Sequence, residues 1–232
     1  DKLSNYVGDG SKPKKQKIKL PVFLNFIRQP LCVSFSLKGH PEKEPYEFMA
    51  INAHLYFGNY ITDRRQEFDA LMDWILSRLK FSKKVYYPNF ILLGDLNLDF
   101  DNPDTDRARI NKHLKTFDNA AGDETRVYFP FLDKHPVSKK MLRTNARLSQ
   151  TYDQIGFFTS DERFPSADDK AIMGTDDRGS DYGVFDFVNL FAKALKQKSY
   201  YRLSKSEKKD LLSKFEHSIS DHMPLWVRLP LP

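Results

Sequence analysis

The chain has 232 residues and a mass of 27.1 kDa, and its 40% hydrophobic and 14% aromatic content can offset the entropy of ordering, which excludes disorder as the overall state. No apolar run approaches the roughly 20 residues of a membrane-spanning helix, and Asp1-Lys2-Leu3-Ser4 has no apolar signal core, so a soluble protein without a membrane span is expected. The single Cys32 excludes an internal disulfide framework and a cysteine-built zinc site and fits the reducing cytoplasm, while the net charge of +6 is compatible with a polyanionic partner.

Residues 1–19 are rich in Lys, Gly and Ser and read as a flexible basic arm or loop ahead of one domain over 20–232. The runs 31–35 and 47–52 read as neighbouring strands around a turn region with Gly39, Pro41 and Pro45, and they place Cys32 as an inert interior thiol. Phe68, Leu71, Met72, Ile75, Leu76 and Leu79 recur at helical spacing behind Thr62 or Asp63 as a cap. Residues 89–94 (NFILLG) form a short apolar run ending in Gly, as a central strand covered on both faces does, so Asp95-Leu96-Asn97 stands at a strand's C-terminal end.

Ile110, Leu114 and Phe117 predict a second helix, and 151–158 (TYDQIGFF) predicts another strand. The intervening stretch 126–150 is basic and aromatic and reads as a loop. Between 160 and 218 lie two helical patterns, one around Phe187, Val188, Phe191 and Leu195, the other opening with the capping-box pair Ser204 and Glu207; the segment reads as a helical elaboration of the same domain. Leu225, Val227 and Leu229 share one face of a last strand over 223–229. Alternating strands and helices give an α/β class.

Four polar groups stand directly beside apolar strands: Asn52-Ala53-His54, Gly94-Asp95-Leu96-Asn97, Tyr152-Asp153-Gln154-Ile155 and Ser220-Asp221-His222. Strand ends are where α/β sheets build their sites. Taken singly, each group has an ordinary structural use: His54 on the surface or in the core, Asp95 and Asn97 in a turn, Asp153 as a strand-end cap, Asp221 and His222 as an exposed pair. Their number in one chain favours chemistry. The acidic run 95–101 fails as a calcium loop, because Phe100 stands where the sharp turn needs Gly and Asp106 where Glu is needed. A Gly-rich phosphate loop, a nucleophile elbow and a His-Glu-x-x-His helix are all absent from the sequence. Histidines with several carboxylates suit hydrolysis of a phosphate ester: an imidazole accepts the proton of the attacking water, a carboxylate fixes its tautomer, and a hard cation neutralises developing charge. Composition alone does not assign these tasks to particular residues.

The ordered set Asn52-Ala53-His54, Arg64-Arg65-Gln66-Glu67-Phe68, Gly94-Asp95-Leu96-Asn97, Tyr152-Asp153-Gln154-Ile155 and Ser220-Asp221-His222-Met223-Pro224-Leu225 resembles the endonuclease/exonuclease/phosphatase superfamily typified by deoxyribonuclease I. The resemblance runs from about Arg28 to the C-terminus. It implies a four-layered α/β sandwich, two central β-sheets flanked by helices, that cleaves phosphoesters with Mg2+ or Mn2+. By motif, His54 resembles the histidine that polarises the scissile phosphate. Asp95 and Asn97 resemble the pair that orients water and stabilises the transition state. His222 resembles the general base, Asp153 its carboxylate partner, and Asp221 a metal ligand. Members carry an N-terminal half with a metal-binding Glu; residues before Arg28 show no such unit, and Glu67 lies inside the helix after His54 and does not match. The resemblance therefore implies the C-terminal part of a phosphoesterase domain, with a complementary N-terminal fragment as a partner.

The stretch 126–150 also bears on substrate. Arg143, Asn145 and Arg147 lie closest in sequence to Asp153 and would track a nucleic-acid backbone, which ranks a nuclease first. Against this stands a solvated loop with Phe129 and Phe131 packed inward. The alternatives are a phosphatase acting on a small phosphoester or phospholipid, and a catalytically inactive binding module.

Overall fold

The computed structural model describes residues 26–80, 89–102, 104–120, 125–165 and 181–229. Strands β1 (Leu31–Leu37) and β2 (Tyr46–Asn52) form an antiparallel pair, and helix α1 (Ile61–Lys80) returns the chain to β3 (Phe90–Asp95), parallel to β2. Helix α2 (Asp106–Ala120) and the short strand β4 (Arg126–Tyr128) precede β5 (Asp153–Thr159), which runs antiparallel to both β3 and β4. The resulting mixed sheet has the order β1-β2-β3-β5-β4. Strand β6 (Tyr182–Val184), helices α3 (Phe187–Lys196) and α4 (Lys205–Ser218), and strand β7 (Leu225–Val227) complete the described chain, with β6 and β7 pairing as a second, small sheet. The class is mixed α/β, and no helix among the described residues is long and apolar enough to cross a membrane.

Alternation along the central strands decides what covers each face. Ile51, Phe90, Leu92 and Phe158 point one way, into a core with Phe68, Met72 and Ile75 of α1 and Ile110 of α2. Ile91, Leu93, Ile155 and Phe157 point the other way, against Tyr182, Val184, Leu225 and Val227 of the small sheet and against Phe131 and Phe164. β3 is thus covered on both faces, which its unbroken apolar run requires. Each fully buried Leu, Ile or Phe here contributes about 1.5–3 kcal/mol.

The structure departs from the sequence reading in several places. Helix α1 begins at Ile61, so Thr62 and Asp63 lie in its first turn, where the Asp63 carboxylate meets the helix dipole and is no cap. The supposed loop 126–150 opens with β4, and Phe129 and Phe131 turn inward. The segment 160–218 contains β6 as well as the two expected helices, and the Ser204–Glu207 capping box is formed in both directions. The last strand is shorter than expected, although Leu225, Val227 and Leu229 do pack on one cluster. Cys32, expected in the interior, is exposed because β1 is an edge strand. The arm over 1–19 and the stretch 166–180 lie outside the described residues.

Strand β1 also leaves Leu31, Val33, Phe35 and Leu37 exposed. The register with β2 puts them on the sheet face that the small sheet covers at β3 and β5.

Candidate active site

The same alternation that buries Ile91, Leu93, Ile155 and Phe157 places Asp95 and Asp153 on that face, one step beyond the last apolar pair. They are direct cross-strand partners at the end of the β3–β5 ladder. Like charges in that position repel. Burial first, and the Asp153 charge second, push the Asp95 carboxyl above its ordinary range; the Asn97 amide and the imidazoles of His222 and His54 pull the other way.

Gly94 lets the next element approach. Its φ of 134° lies where side chains are strained, and a Cβ there would stand 1.9 Å from the Ala53 carbonyl oxygen. Without that Cβ the chain after β2 stays bonded to β3, with Ala53 N donating to Leu93 O at 2.8 Å and Leu55 N to Asp95 O at 2.9 Å. His54 is thereby carried alongside Asp95, with its Nε2 3.8 Å from Asp95 Oδ2 and half its side chain exposed.

His222 arrives from the other direction. The segment around Thr144–Ala146 holds it in an isolated bridge: Asn145 opposes His222, Ala146 N donates to Asp221 O at 2.8 Å, and Met223 N to Thr144 O at 2.7 Å. Thr144 Oγ1 also accepts from Asp153 N at 3.1 Å, which ties the bridge to β5. The outcome is a short contact of 2.6 Å between His222 Nδ1 and Asp153 Oδ2. His222 Nε2 faces the Asp95 carboxylate at 3.6 Å. The Asp153 hydrogen bond, with the charges of Asp153, Asp95 and Asp221 and against the cost of burial, pushes the imidazole up to about 9.

This shift has a consequence for stability. The folded state binds the His222 proton more tightly than the unfolded chain, whose ordinary value is 6.5. The pair therefore contributes its full stability below pH 6.5 and loses it as pH rises through about 9. In chelator, the Tm of the wild type is expected to fall over that interval more than that of Asp153→Asn; parallel profiles would contradict the pairing.

Asn97 is nearly buried, adopts a left-handed φ of 51°, and donates from Nδ2 to Leu55 O at 2.8 Å, leaving its Oδ1 and second amide hydrogen available. Glu67 is also buried, and its carboxylate accepts from Tyr56 N at 2.6 Å and Ile27 N at 2.9 Å, so it frames the loop after His54 and takes no place in the cleft.

His54, Asp95, Asn97, Asp153, Asp221 and His222 line one cleft of about 790 Å3, together with Asn145 and Arg147. The structure corrects the expectation for Arg143: it pairs with Asp101 and does not line the cleft. Asn145 does line it, but its Oδ1 accepts from Ser149 N and Gln150 N and its Nδ2 bonds Ser149 Oγ, so its side chain builds the loop. Arg147 is two-thirds exposed at the rim and forms a two-bonded pair with Glu216 of α4, at 2.7 and 3.0 Å. Arg28, Phe57, Ser149, Gln150, Tyr152 and Glu216 also line the cleft, and sequence reasoning gave none of them a site role. Tyr152 sits beside Asp153 and Arg28 opens the family-like segment, so proximity to a motif was the available signal for those two; Phe57 and Glu216 carried none.

Asp95, Asp153 and His222 form a group that could hold a metal ion, each offering a ligand atom within 4.8 Å of the others, and the crowded, partly buried Asp95 carboxylate would be relieved by positive charge. Asp153 Oδ2 is already committed to His222, while Asp95 and the exposed Asp221 offer carboxylate oxygens beside it. Set against protein-family models the chain matches none, and no curated protein matches its sequence.

Proposed function

We propose that this chain carries the reactive residues of a divalent-metal-dependent phosphodiesterase of the deoxyribonuclease I-like kind, acting on nucleic acid. The observation that carries the reading is the Asp153–His222 pair with its Nε2 turned toward Asp95 Oδ2, the same oxygen that His54 Nε2 approaches. In this reading the positive charge of a cation beside Asp95 would favour loss of the proton that the three surrounding carboxylates otherwise hold on His222, and the neutral ring then takes a proton from water at Nε2, while Asp153 holds Nδ1–H and stabilises the imidazolium that forms. Asp95 accepts a hydrogen bond from the same water and orients it. His54 donates to a phosphate oxygen, and the uncommitted amide hydrogen of Asn97 is a second donor. Mg2+ or Mn2+ held by Asp95 and Asp221 would supply charge neutralisation at the phosphate oxygens. The small sheet packed on the main one is consistent with the superfamily's four-layered sandwich, and the uncovered apolar face of β1 is where a complementary fragment would add strands.

One observation favours a second reading, a phosphatase for a small phosphoester. Arg143 and Arg147, expected to follow a polymer backbone, are already paired with Asp101 and Glu216. Salt dependence separates the two. With His222→Ala as a non-cleaving variant, log affinity for a single-stranded oligonucleotide is expected to fall against log salt with a slope of about −2 or steeper, equivalent to about three or more neutralised phosphates. A slope of about −0.7 or shallower would mark a single phosphate contact and sink the nuclease reading.

A further inference from the structure

Phe57 is 67% exposed, yet it lines the cleft with His54, Asp95 and Asn97. Single exposed apolar side chains are common on a protein surface, and what sets Phe57 apart is its place on the rim of a polar cleft, beside His54, Asp95 and Asn97. The backbone that carries the ring is also held in place. Leu55 O accepts from Asn97 Nδ2 at 2.8 Å and from Arg28 Nη1 at 3.3 Å, and Tyr56 N donates to the buried Glu67 carboxylate. Arg64 donates from Nε and Nη2 to Gly58 O at 3.0 and 2.7 Å and from Nη1 to Asn97 O at 3.3 Å. The backbone on both sides of Phe57 is therefore tied to the elements that carry Asp95 and Asn97. The Arg64 guanidinium carbon lies 5.6 Å from the ring centroid and occupies one face of the ring, which leaves the other open.

A fixed ring with one free face is complementary to a planar π-system, and its distance from the phosphate site is restricted. Phe57 stands three residues after His54 on the same loop, so at most about 10 Å of chain separates them. We propose that Phe57 is a stacking platform for a nucleobase adjoining the scissile phosphate, which makes nucleotides the substrate class of this cleft; the assignment rests on the phosphodiesterase reading above. Stacking tolerates any base, since each offers a π-face, so the platform selects for the presence of a base and not for its identity.

The test compares two single-bond substrates with Mg2+ or Mn2+: dithymidine monophosphate, and the same sugar–phosphate diester lacking both bases. The wild type is expected to prefer the dinucleotide in kcat/KM by about tenfold or more, mainly through KM. Phe57→Ala and Phe57→Leu should both collapse that ratio toward one, while Phe57→Trp keeps it, because Leu retains apolar bulk without a π-face. Equal kcat/KM for the two substrates in the wild type, or a preference that survives Phe57→Ala, would overturn the platform while leaving the phosphodiesterase reading intact. Hydrolysis of neither substrate would overturn that reading instead. The platform is then judged by quenching of a single strand containing 2-aminopurine, which the wild type must show and Phe57→Ala must lose.

Discussion

Replacing His222 by Ala is expected to lower phosphodiester turnover at least about a hundredfold, the usual effect of removing a positioned general base, while KM changes less. The ring is fixed at one nitrogen by Asp153 at 2.6 Å and presents the other toward the Asp95 carboxylate, so the substitution removes a base whose orientation is set by a carboxylate partner. Asp153→Asn should lower turnover as well, because the amide no longer favours the protonated ring that forms when water is deprotonated. The two losses should not add in the double variant, since both act through one proton transfer. Rates within a few-fold of wild type for His222→Ala would remove the catalytic assignment.

The second large effect separates function from folding. Asp95→Asn is expected to lower turnover about a hundredfold or more while leaving the Tm unchanged or raising it. In the metal-free fold this carboxylate is a liability: it is partly buried, faces Asp153 across the strand pair, and holds its proton more tightly than an ordinary Asp. An Asn side chain keeps an acceptor for the Asn97 amide, 2.8 Å from Asp95 Oδ1, and removes the like-charge repulsion. A stability cost of this kind at a strand end is what a residue placed for chemistry would show. A clear drop in Tm with activity preserved would reverse the interpretation and make Asp95 a framework residue.

Much of this arrangement was legible in the sequence because it depends on alternation. The apolar run 90–93 specified a strand buried on both faces, and the period of two then placed Asp95 on the same side as Ile91 and Leu93. The residues at 151–158 followed the same rule, whereas the meeting of Asp153 with His222 was expected from the family resemblance alone, since His222 lies outside β7 and is held by an isolated bridge to Asn145. What the sequence did not disclose rests on partners distant along the chain or on position within the sheet. Arg147 looked like a free cation, but Glu216, 69 residues away, holds it once α4 folds against the rim. Arg143 is taken by Asp101 in the same manner. Cys32 sits in an apolar run that reads as interior, and only the edge position of β1 exposes it. Strands β4 and β6 each have three residues, too few for any periodicity to register.

The most direct test of the account is the rate at which the full-length protein hydrolyses bis(p-nitrophenyl) phosphate with Mg2+ or Mn2+, with excess chelator, and with His222→Ala under the same conditions. The account predicts metal-stimulated hydrolysis that chelation abolishes and that the variant loses by at least about a hundredfold. A wild-type rate indifferent to metal, or equal rates with and without the His222 imidazole, would contradict it.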